Sequence, residues 1–192
     1  MNNLPSFPKP PNSRQRGFTL VELVVTIALV AILTTLAIPS FSEVLRQWRR
    51  DSATRELSTS LQLARSEAIK TSRQMVVCPS TDGTACEASS EWSTGWMVFV
   101  DDGAGTQTNA NNQTYDTDER MLKIVSAQAG VATLTSSGNV QWLQFLPNGL
   151  MRTGANAAVT FTVTPSGATS STKVDKITVS PVGRTSVVTE LP

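Results

Sequence analysis

The chain contains no histidine. That removes the imidazole of Ser-His-Asp and Cys-His catalysis, and the commonest ligand of zinc, copper and non-haem iron. Two cysteines are too few for a four-cysteine zinc or iron–sulfur centre. Charged residues are 16% of the 192 and aromatics 6%, both low. Sixteen bases against fifteen acids leave a net charge of +1, so much of the polarity rests on Ser, Thr, Asn and Gln. No phosphate-cradling glycine loop is present. No enzyme, no cofactor and no metal site are expected. The composition fits an exported or structural protein better than a cytosolic enzyme, and the length allows one to two domains.

What is there begins at the N-terminus. Residues 1–17 are proline-rich and polar, and their only charges are Lys9, Arg14 and Arg16. Residues 18–38 then read FTLVELVVTIALVAILTTLAI, an apolar run whose one charge is Glu22. As a helix this run is about 30 Å long, the thickness of a bilayer core. The basic leader places its N-terminal end in the cytoplasm. A secretory signal peptide fits poorly, because the run exceeds a usual h-region and no A-x-A-like site follows closely. An ordinary signal anchor fits the length but leaves Gly17 and Glu22 unexplained. A lone carboxylate in an apolar span costs several kcal/mol unless it is paired.

Arg16-Gly17-Phe18-Thr19-Leu20-Val21-Glu22-Leu23 resembles the class III signal of type IV prepilins. The resemblance implies a prepilin peptidase that cuts between Gly17 and Phe18 and N-methylates Phe18. It implies that Glu22 faces the amino-terminal charge of a neighbouring subunit and sets axial register. The stretch 1–17 is then a cleaved leader and 18–45 a transmembrane and filament-core helix. Pro39 is expected to kink that helix, as the missing N–H and the ring clash require.

Phe41, Val44, Leu45, Trp48, Leu57, Leu61, Ala64 and Ala68 recur mostly at three- and four-residue steps. That period predicts one long helix from Phe18 to about Arg73, with its second half packing an apolar stripe on a head. Arg46, Arg49 and Arg50 read as a solvated basic face or as lipid headgroup contacts.

From Met75 onward short apolar runs alternate with turn signals. Strands are expected at 75–78, 96–100, 122–126, 131–135, 140–145, 158–164, 176–180 and 186–188. A long helix carrying a mostly antiparallel sheet is an α+β architecture, and residues 46–192 form its head.

Leu63-Ala64-Arg65-Ser66-Glu67-Ala68-Ile69-Lys70, then Val76-Val77-Cys78-Pro79-Ser80 and Cys86, resemble the GspH/FimT family. So do Trp92, Gly95-Trp96-Met97-Val98-Phe99-Val100-Asp101, Phe145-Leu146-Pro147-Asn148-Gly149 and Gly183-Arg184. The family implies a type IV pilin-like fold and a minor pilin or a minor pseudopilin of type II secretion. Its partners would be major and minor pilins, the prepilin peptidase and the inner membrane. The head would be periplasmic and later extracellular on a pilus of a Gram-negative bacterium. In that oxidising setting Cys78 and Cys86, eight apart with Pro79, Asp82 and Gly83 between, are expected to form a disulfide. A redox-active pair is the disfavoured alternative, since no C-x-x-C occurs.

The near-neutral sum hides blocks of sign. Residues 76–119 carry eight acids and no base, and residues 120–192 carry six bases against two acids. The acidic run from Asp101 to Glu119 offers oxygen donors for calcium but matches no EF-hand spacing. The family's DNA-binding members use a Gly-Arg-x-Arg stretch, and here it reads Gly183-Arg184-Thr185-Ser186 with the second arginine missing. DNA is therefore an alternative partner, through Arg184, Lys173, Lys176 and Arg152.

Overall fold

The computed structural model describes residues 17–102, 110–154 and 156–192, excepting the side chains of 35–40. The chain divides into two compact units, Met1–Ser42 and Glu43–Pro192. One helix, α1 (Leu20–Thr71), runs from the first into the second and is assigned without a break through position 39. The kink expected at Pro39 falls where side chains are outside the description. The helix ends at Ser72, whose φ of 55° turns the chain out of it.

In the first unit the described large apolar residues from Phe18 to Leu33 are all at least half exposed. Among the described residues no helix is long and apolar enough to cross a membrane. Of the run 18–38 read above as a membrane span, the described side chains end at Thr34.

The second unit holds the core. Among the described residues nine strands follow α1: β1 (Met75–Pro79), β2 (Gly95–Val100), β3 (Met121–Ser126), β4 (Val131–Ser136), β5 (Leu143–Phe145), β6 (Met151–Arg152), β7 (Val159–Pro165), β8 (Val174–Val179) and β9 (Thr185–Glu190). The expected single sheet is in fact two, ordered β3-β2-β1-β5-β6 and β4-β7-β8-β9. Every strand pairing described is antiparallel. The strand expected over 140–145 is confined to its last three residues, and β6 has too short an apolar run to be read from sequence.

Ala53, Leu57, Leu61, Ala64 and Ala68 form the buried stripe of α1. They pack with Val77, Trp96 and Val98 of the first sheet and with Leu134, Phe161 and Ile177 of the second. Trp92 spans the two, meeting Phe161 edge-to-face at 5.0 Å. The stripe starts later than its sequence period implies. Phe41 and Trp48 are 65% and 70% exposed.

The first sheet is covered on both faces. Its far side buries Val76, Cys78, Met97 and Phe99 under Cys86, Tyr115, Met121 and Trp142. This is why β1 and β2 are buried at every position and read as continuous apolar runs, while β7 alternates. The Cys78–Cys86 disulfide pins that cover, with Cα atoms 5.5 Å apart. Closing so short a loop removes about 2–3 kcal/mol of unfolded-chain entropy.

Candidate assembly and interaction surfaces

The residues expected to carry processing and register lie at the start of α1. Thr19 caps the helix: its Oγ1 accepts the Glu22 N–H at 3.2 Å, and its carbonyl accepts the Leu23 N–H. Thr19-x-x-Glu22 is a capping-box spacing, a signal that the sequence reading passed over in favour of the carboxylate alone. Glu22 thus sits in the first turn, where the helix dipole favours a negative charge. Gly17 and Phe18 precede the cap and are exposed. A side chain built at Gly17 would meet nothing within 4 Å.

Of the arginine cluster only Arg49 is exposed, as a solvated face requires. Arg46 pairs with Glu43 at 2.7 Å. Arg50 is buried, 8% exposed, with its Nε 3.1 Å from Asp175 Oδ1, its Nη2 2.8 Å from Asp51 Oδ1 and its Nη1 donating to the Lys173 carbonyl. Asp175, 3% exposed, also accepts from the hydroxyls of Thr54 and Thr189. These bonds fasten α1 to β8, and β8 to β9. Sequence spacing could not show it, because Arg50 and Asp175 are 125 positions apart and each reads as surface.

Arg65 makes a second tie. Its Nε donates to the Gly149 carbonyl at 3.1 Å and its Nη2 to the Val182 carbonyl at 3.0 Å, holding two turns against the helix. Gly183 (φ +73°) must be glycine, since a Cβ there would lie 2.3 Å from the Gly149 carbonyl oxygen. Family-like residues at 65, 149 and 183 therefore meet as one structural knot.

The four basic residues weighed for DNA do not form one patch. Arg184 is exposed beside a cleft of about 420 Å³ that Gln62, Arg65 and Ile69 help to line. Arg152 is in β6 of the first sheet and follows Met151, whose N–H donates to the Pro181 carbonyl, so it lies near the Arg184 end of the second sheet. Lys173 lies beyond the opposite end of the β8–β9 ladder, about 23 Å from Arg184 along the strands. Lys176 is paired with Glu190 at 2.5 Å.

The acidic segment is organised around Asp101, which is 1% exposed. Its carboxylate accepts the N–H groups of Asn112 and Gln113 and the Gln144 side-chain amide, tying residues 111–113 to β2 and β5. These donors occupy the oxygens that a cation would use. Among the described residues no acidic cluster suited to a metal ion occurs, and 103–109 lie outside them.

Burial pushes the Asp101 carboxyl above its ordinary value, against the opposing pull of the N–H donors. A raised folded-state pKa means that the fold holds this proton more tightly than the unfolded chain does. Asp101 therefore adds stability as pH falls through its folded pKa, and loses that contribution as pH rises. The stability difference between wild type and Asp101→Asn is expected to move in favour of wild type from about pH 7 to about pH 4. Chemical denaturation of both proteins across that range measures it. A flat difference would remove burial as the dominant influence.

Comparison with known proteins places this geometry. The family described as type II transport protein GspH matches residues 53–183. The prokaryotic N-terminal methylation motif matches residues 12–38. Two crystal forms of the Pseudomonas aeruginosa type IV minor pilin FimU share the fold. One has a TM-score of 0.51 at 22% identity, covering 76% of this chain and 90% of that one. The other has a TM-score of 0.52 at 22% identity, covering 74% and 96%. The chain thus belongs to the GspH family, carries the prokaryotic N-terminal methylation motif, and has the fold of a type IV minor pilin.

Proposed function

We propose that this protein is a minor pilin, a structural subunit of the tip or initiation complex of a type IV pilus. The observation that carries the reading is the methylation motif standing at the head of the helix on which a pilin-type head is built. In this reading the peptidase removes residues 1–17 at the inner membrane and methylates Phe18. The apolar surface that residues 18–34 expose is covered first by lipid and then by other pilins. The head stays periplasmic until the subunit enters the filament. The Glu22 carboxylate, desolvated there with the terminal ammonium of a neighbour, loses less than either charge alone and so fixes axial register. Pro39 gives the helix the bend that packing in a filament requires.

The test is complementation of a deletion strain. Wild type restores filaments and twitching and is recovered in the sheared pilus fraction. Glu22→Ala is processed but absent from that fraction, and its recovery at wild-type level would end the register role.

A second reading has its own support in the description of the matching family, type II transport. A deletion that abolishes secretion and leaves twitching intact would make the protein a pseudopilin. DNA uptake is a further role for the same subunit, resting on the exposed Arg184 and Arg152. A gel shift of the purified chain that Arg184→Gln weakens, and that salt reverses, would support it.

A further inference from the structure

The two edges of the second sheet are built differently. At the β4 edge the register shifts between Val131 and Thr133. The segment before β2 covers the same edge: Trp92 N–H donates to the Leu134 carbonyl, Ser136 N–H to the Ser90 carbonyl, and Glu91 bridges Thr135. At the other edge β9 runs in regular register for six residues, with β8 as its one strand neighbour among the described residues. It contains no proline, lysine or bulge, the usual protections of an open edge. Its Val187 and Val188 are 46% and 55% exposed, and Leu191 just beyond is 57% exposed.

Hydrogen-bond phase fixes which backbone groups are open. Ser180 N–H donates to the Arg184 carbonyl at 2.9 Å. By the alternation of an antiparallel ladder, residues 184, 186, 188 and 190 turn their peptide groups toward β8. Thr185, Val187 and Thr189 turn theirs outward.

We propose that β9 pairs antiparallel with β9 of a second copy of this chain, about a two-fold axis at Val187. In that register Val187 faces Val187, and Thr185 faces Thr189. These are the residues with outward peptide groups, so each facing pair exchanges two backbone hydrogen bonds. The ends of the strand are complementary in charge. Arg184 of each copy faces Glu190 of the other, on the outer face of the sheet where Glu190 already meets Lys176. The two four-stranded sheets then continue as one of eight strands. Self-pairing is favoured over a foreign strand because phase and charge match the same two-fold register.

Disulfide trapping tests this in membranes containing the full-length chain. Facing residues in such a pair have Cα atoms about 5.5 Å apart, within disulfide reach. Val187→Cys is expected to give a covalent dimer on mild oxidation. Ser170→Cys, in an exposed loop away from β9, is expected to give none. Adding Arg184→Glu to Val187→Cys puts like charges at both ends and should cut the dimer about tenfold. The swap Arg184→Glu with Glu190→Arg should restore it. Four outcomes overturn the proposal: no dimer, equal trapping by Ser170→Cys, indifference to Arg184→Glu, or an adduct to a chain of different mass.

Discussion

Gly17→Arg is expected to abolish processing. The variant chain should keep residues 1–17, now with four positive charges counting the new arginine, and carry no methyl group on Phe18. Mass spectrometry of the membrane-purified protein reads both at once, as a chain heavier by the leader and without the modified terminus. A side chain at position 17 meets nothing within 4 Å, so the substitution does not disturb the fold and its effect reports on the peptidase. A bulky cation in place of glycine obstructs the close backbone approach that such a cleavage site needs. Under the proposed register role assembly should be lost as well, because an uncut chain has no free ammonium at position 18 to pair with Glu22 of a neighbour. Cleaved, methylated Gly17→Arg protein would remove the prepilin reading of the motif.

Asp175→Ala should produce the largest loss of stability. Asp175 is the buried acceptor for Arg50, Thr54 and Thr189. Truncating it leaves two hydroxyls short of a partner and a buried guanidinium with Asp51 and the Lys173 carbonyl. Removing one member of a buried pair costs about 3–5 kcal/mol, and the surviving Asp51 contact puts this case near the lower end. For a domain of this size that corresponds to a melting temperature lower by about 6–12 °C. Asp175→Asn keeps the volume and part of the hydrogen bonding, so it should fall between. Thermal unfolding followed by circular dichroism separates the three proteins. If Asp175→Ala melts with wild type, the Arg50–Asp175 contact does not hold α1 to the second sheet.

Much of this molecule is legible in its amino-acid order, and the reason is locality. The glycine-phenylalanine junction, the apolar run after it and the glutamate inside the run are contiguous. A helix is a local structure, so its three- and four-residue period placed α1 to within two residues at each end. The strand runs at Met75 and Trp96 were visible because both faces of the first sheet are covered, which makes every position apolar. The cysteine pair lies within one turn-rich loop, and the disulfide follows the chain there.

What locality does not reach, tertiary structure decided. An alternating strand shows which side chains face a core, but not which strand lies beside it. The sorting of the nine described strands into two sheets therefore had no sequence signal. The period of α1 reached Phe41 and Trp48, yet both are exposed and the buried apolar stripe begins only at Ala53. Arg50 looked like its neighbours until Asp175, far along the chain, was folded onto it. Lys173 and Arg184 belong to one basic stretch of sequence, yet they stand at opposite ends of the β8–β9 hairpin. In each case pairwise energies between distant residues overrode an average taken along the chain.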